Sequence, residues 1–127
     1  MSKPILYSVI ESRIHPRFST LYQRLGIEEL LFSSTRKAMA QIKKQPPDYL
    51  VADFHYGYSN NYAGVNISNL DVMLMAMQRY APFPRTKVIV VAAKHEMQYV
   101  SELGGIYPLC AVLQYPVTEL QMEKYLN

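Results

Sequence analysis

The chain has 127 residues, half of them hydrophobic and 18% charged, a size and composition that suit one compact domain, 1–127, rather than two. One cysteine, Cys110, cannot close an internal disulfide, and no apolar run nears the ~20 residues of a membrane-spanning helix. With no charged-then-apolar leader, these features predict a soluble cytoplasmic protein and exclude a secreted disulfide scaffold.

The net charge of +3 is uneven, with eight Lys or Arg in residues 1–47 against Glu11, Glu28 and Glu29. The excess gathers in Arg36, Lys37, Lys43 and Lys44 on one predicted helix and reads as a solvated face. Nucleic acid is not an expected partner.

Ile5, Leu6, Tyr7, Val9 and Ile10 form a short apolar run that predicts a first strand. Proline after His15 opens a helix of about three turns, with Phe18, Leu21, Tyr22 and Leu25 at helical spacing and Gly26 as its left-handed stop. Leu30, Leu31 and Phe32 make a second strand. Ser34 or Thr35 then caps a helix facing inward through Ala38, Met39 and Ile42, and Pro46-Pro47 ends it. The third strand, 49–52, has no polar alternation, as expected of a parallel strand covered on both faces, and Asp53 closes it.

Residues 54–67 lack helical period and predict a long loop. Ser68 with Asp71 suggests a capping box for a helix whose buried stripe is Leu70, Met73, Leu74 and Met77. Val88, Ile89, Val90 and Val91 form the clearest strand, running into Ala92-Ala93. A fourth helix follows through Met97, Val100 and Leu103 to Gly104-Gly105. Residues 109–113 give a fifth strand, in which Cys110 reads as a buried thiol. Thr118 with Gln121 makes a capping box for a last helix bearing Leu120 and Tyr125. Strand-helix alternation five times over predicts an α/β fold, a doubly wound five-stranded parallel sheet flanked by five helices.

In such sheets ligands bind at the carboxyl ends of strands, beside the point where strand order reverses. The residues to examine are Glu11, Asp53, Ala92 with Ala93, and Tyr115-Pro116. Asp53 is the acid that ends a central strand. His15, His55 and His95 enter or follow loops without metal-ligand spacing and read as exposed or capping residues. Gly57 and Gly64 do not form a phosphate-cradling loop.

The alternation, the strand Tyr49-Leu50-Val51-Ala52-Asp53, the strand running from Val88 into Ala92-Ala93, and Val112-Leu113-Gln114-Tyr115-Pro116 together resemble the CheY-like receiver domain of bacterial two-component response regulators, a flavodoxin-like fold. The resemblance covers essentially the whole chain and puts Asp53 at the phosphoacceptor position. It also implies a degenerate, pseudo-receiver form. Of the family's acidic pair after strand one only Glu11 remains, so Glu11 with Asp53 would hold magnesium weakly if at all. No other cofactor is implied. The family's hydroxyl after strand four is replaced by Ala92 or Ala93, its lysine by Tyr115 before Pro116, and its switch aromatic by Val112. A phenol is neutral at pH 7 and supplies no cation for a phosphoryl oxygen.

The function expected from these residues is a non-enzymatic signalling or regulatory module working through contact with another signalling protein, with the output carried by a separate polypeptide. Tyr56, Tyr58, Tyr62 and Val65 in the long loop are the candidate anchors. The resemblance also implies a possible homodimer through the helix four, strand five and helix five face. The alternatives are a weak phosphoacceptor using Asp53 and a small-ligand or nucleotide binder on the same scaffold.

Overall fold

A computed structural model describes residues 3–10, 17–56 and 68–126. Among these, β1 (Ile5–Val9), β2 (Glu28–Phe32), β3 (Tyr49–Asp53), β4 (Lys87–Ala92) and β5 (Ala111–Gln114) form one sheet in the order β2-β1-β3-β4-β5. All four neighbouring pairs are parallel. Tyr7 lies level with Leu30 and Leu50, and Asp53 with Val91. The central strands carry the continuous apolar runs, and every residue of β3 is buried. At the edge, β2 leaves Leu31 58% exposed, because an edge strand of a layered sheet is covered less completely than its centre.

The helices are α1 (Ser19–Arg24), α2 (Thr35–Ile42), α3 (Asp71–Tyr80), α4 (Met97–Val100) and α5 (Glu119–Glu123). Two apolar clusters fill the two faces of the sheet. Leu21 and Tyr22 of α1 and Met122 of α5 pack with Leu6, Val51, Ile89 and Val91 on one face. Ala38 and Ile42 of α2, Met73, Leu74 and Met77 of α3 and Val100 of α4 pack with Tyr7, Leu50, Ala52 and Val90 on the other. Alternate residues of one strand thus feed opposite cores, which is why the strands read as unbroken apolar runs.

The caps follow side-chain chemistry. Ser34 accepts from the Lys37 N–H at the start of α2, and Thr118 with Gln121 forms the expected capping box on α5. Gly26 has the left-handed φ of +75° that stops the chain after α1. Other details depart from expectation. The described part of the first helix is six residues with no side-chain cap, and His15 and Pro16 lie outside the described residues.

Ser68 and Asp71 bond to each other as expected, but in the turn before α3, where the Ser68 hydroxyl oxygen also accepts from the Leu70 N–H at 3.1 Å. The Asp71 carboxylate accepts from the Ser68 N–H and hydroxyl, each at 2.8 Å, and the helix begins after Leu70. The fourth helix is one α-turn between 3-10 segments at Lys94–Glu96 and Ser101–Gly105, none with a side-chain cap bond. β5 starts at Ala111, two residues later than expected. Cys110 precedes the strand and is exposed, not buried. Leu120 points away from the core and is 80% exposed, and Met122 fills the buried position of α5.

Candidate functional site

The strand order reverses at β1, which has β2 on one side and β3 on the other. The carboxyl ends of β1 and β3 therefore flank the crevice where a doubly wound sheet places its ligand. Asp53 ends β3 there, with no solvent-exposed surface. Its Oδ2 lies 3.3 Å from Nε2 of His55, which is 37% exposed. The period of an extended chain brings the two together, because residues two apart on a strand end project from the same face.

Asn69 braces the backbone on either side of this pair. Its Nδ2 donates to the Asp53 carbonyl at 3.0 Å and its Oδ1 accepts from the His55 N–H at 2.8 Å. Tyr56 then bridges antiparallel to Ser68, which holds the described segments ending at 56 and starting at 68 side by side. Tyr56 is also fastened to the fourth-helix segment. Its N–H donates to Glu96 Oε2 at 2.9 Å, and its ring stacks on Tyr99 with centroids 3.7 Å apart and planes 15° from parallel. Tyr56 remains 48% exposed, so one aromatic face of this edge is both fixed and accessible.

The remaining positions named from the sequence separate. Ala92 is fully buried and accepts the Tyr115 N–H on its carbonyl at 2.9 Å. The Tyr115 ring packs against the apolar cluster of α1 and α5, and the Tyr115-Pro116 peptide is cis. Val112, at the switch-aromatic position, packs on the opposite face. Glu11, Tyr58, Tyr62 and Val65 lie outside the described residues.

The oxygen of Asp53 thus faces an imidazole. Magnesium favours an octahedron of oxygens, and Glu11, the other oxygen ligand expected for it, lies outside the described residues. Among the described residues no group of three His, Cys, Asp or Glu is arranged to hold a metal ion.

From sequence His55 reads only as an exposed or capping residue, whereas it lies against Asp53, and Asn69, Glu96 and Tyr99 do not stand out at all. The signal for His55 was its two-residue spacing from Asp53. The other three come from distant segments and carry no local signal.

No family model matches the chain, and no curated protein matches it in sequence. Solved structures do match. A response regulator receiver domain protein from Clostridium thermocellum superposes with TM-score 0.71 at 20% identity, covering 100% of this chain and 92% of its own. The chemotaxis response regulator CheY4 of Vibrio cholerae gives 0.70 at 16% identity, covering 98% and 97%. A CheY-like receiver domain from Methylobacillus flagellatus gives 0.69 at 16% identity with the same coverages. The chain has the CheY-like receiver fold. No helix among the described residues is long and apolar enough to cross a membrane.

Proposed function

We propose that this chain is a degenerate receiver-like regulatory module that acts by binding another signalling protein, without magnesium-dependent phosphorylation switching. The observation that carries the reading is the state of Asp53. An acceptor carboxylate must meet a phosphoryl donor and a metal ion, whereas this one has no exposed surface and sits against His55. Ala92 at the end of β4 and Ala93 after it supply no hydroxyl at one of the family's other positions, and Tyr115 after β5 supplies no ammonium at another.

The contact surface in this reading is the carboxyl edge around Tyr56 and Tyr99. Aromatic rings held in one orientation lose little entropy on binding and concentrate interface energy. The module is a binder, not a catalyst, and is placed in the cytoplasm.

Amide NMR spectra with and without magnesium and beryllofluoride test the proposal. The expected result is an essentially unchanged spectrum. Saturable shifts clustered around Asp53 and the end of β4 would overturn it in favour of a working phosphoacceptor. That second reading is favoured by one observation, the acid at the carboxyl end of β3 in a receiver-type sheet.

A further inference from the structure

The opposite edge of the sheet, where β1, β3 and β4 begin, holds an open groove of about 730 Å³. Its charged lining is Lys3, Lys44, Arg85 and Lys87 against one acid, Asp48. That acid is already engaged. Arg85 Nη1 donates to Asp48 Oδ1 and the Ile5 N–H to Oδ2, both at 2.8 Å.

The same contacts make the frame rigid. Arg85 also donates to the Pro46 carbonyl at 3.1 Å, and the Thr86 hydroxyl donates to the Pro47 carbonyl at 2.6 Å. The Asp48 N–H bonds the Ile5 carbonyl at 2.8 Å, and the Lys87 N–H bonds the Asp48 carbonyl at 3.0 Å. Three segments distant in sequence are thereby held side by side.

Lys3, Lys44 and Lys87 are exposed and come from those three segments. The Lys87 ammonium stands 5.9 Å from the centre of the Tyr49 ring, which forms part of the groove lining. Glu28 starts β2 level with Ile5 but is not part of that lining.

Four cations against one acid on the lining of a single groove favour an anion there. The groove's volume falls within the ~300–1,000 Å³ of small-molecule sites. Lysines bind phosphate as point charges, and several on separate segments match a ligand whose charge is spread along a chain rather than held in one carboxylate.

The geometry points to a binding site for a small oligophosphate, an anion with two or more linked phosphate groups, at the amino edge of the sheet. The site lies at the opposite end of the strands from Asp53 and is independent of the protein contact proposed there. Ligand binding at this edge gives the module a second input. The phosphate chain is the element recognised, whether it is inorganic or carries a nucleoside.

The test is an amide NMR titration of the full chain with inorganic tripolyphosphate and with ATP, using citrate as a control anion. Saturable shifts confined to residues 3–5, 44–49 and 84–87 are expected with both phosphates. Equal affinities would support recognition of the phosphate chain alone, and tighter ATP binding would support a nucleoside-bearing ligand. The exposed-site double variant Lys44→Gln/Lys87→Gln should bind tripolyphosphate at least about tenfold more weakly with its spectrum otherwise native, whereas Asp53→Asn should bind it unchanged.

The proposal is overturned by absence of saturation below ~1 mM, by shifts spread to Arg36 and Lys37, by citrate binding as well as tripolyphosphate, or by unchanged affinity in the double variant. Tighter binding of an acidic peptide or an RNA oligonucleotide in the same groove would also overturn it, by naming a macromolecular occupant.

Discussion

Asp53 is a carboxylate removed from water whose immediate ionisable partner is the partly exposed imidazole of His55. Truncating one partner of such a polar pair costs more than the pair itself contributes, because the other stays desolvated and loses a contact. His55→Ala is expected to lower unfolding free energy by about 1–3 kcal/mol, whereas His95→Ala, at an exposed position, should change it by less than about 0.5 kcal/mol. Urea denaturation of both variants checks this. In an Asp53→Asn background the His55→Ala penalty should shrink, since the coupling between contacting residues is then gone. An equal penalty in both backgrounds would show that His55 acts through its packing alone.

At the scale of elements, the molecule divides into helices started by a side-chain cap and helices that are not. α2 and α5 are capped by Ser34 and by Thr118 with Gln121, and both were readable because a cap is a local pattern spanning three residues. The fourth-helix segment has no such bond and breaks into 3-10 turns. Its connection to the site comes from Glu96 and Tyr99 meeting Tyr56 across 40 or so positions of sequence.

The five-residue α5 depends heavily on its cap, because so short a helix has little propagation to offset nucleation. Thr118→Ala is expected to destabilise the protein by about 1 kcal/mol. Faster amide exchange should follow at Met122 and Leu126, both buried on the α1 face. Exchange that quickens equally in α3 would instead mean that the cap supports the whole fold.

For the whole molecule, both cores are closed by tyrosines. Burial pushes the Tyr7 phenol up from 10.0 to about 12. Tyr22 is raised further by burial and then by the charge of Glu29, against a lowering hydrogen bond from Ser8. Burial raises Tyr49 and Tyr107 as well, with Asp48 adding to the rise at Tyr49.

A raised folded pKa means that the native state holds its proton where the unfolded chain has released it. This stabilisation is complete below pH 10 and is lost as pH climbs through the folded values. Each such phenol removes about 1.4 kcal/mol of stability per pH unit inside its window. Thermal unfolding should therefore be nearly flat from pH 8 to about 9.5 and fall steeply above about 10. Phenolate absorbance should rise together with the loss of structure. Phenolate appearing in full before any loss of helix signal would sink this account.

The sequence by itself determined the class and order of the fold. Apolar runs too short for helices, alternating with helical stripes, admit few arrangements other than a doubly wound parallel sheet, and β3 and β4 needed only their unbroken hydrophobicity to be placed. It also marked Asp53, because an acid ending such a run stands out locally. It did not determine what Asp53 is. Strand period hinted at His55, but burial of the carboxylate is a property of two faces, several strands and their coverings. Cys110, Leu31 and Leu120 show the same limit, since hydrophobic type does not say whether a position faces a core or the solvent.

Lys44 shows it most clearly. As part of a charge run it reads as a solvated helix face, yet it lies beyond the end of α2 and shares a groove with Lys3, Arg85 and Lys87. Local periodicity is encoded within a few residues of each position. Convergence of distant segments is decided only when parallel strands bring all their amino ends to one edge of the sheet and all their carboxyl ends to the other.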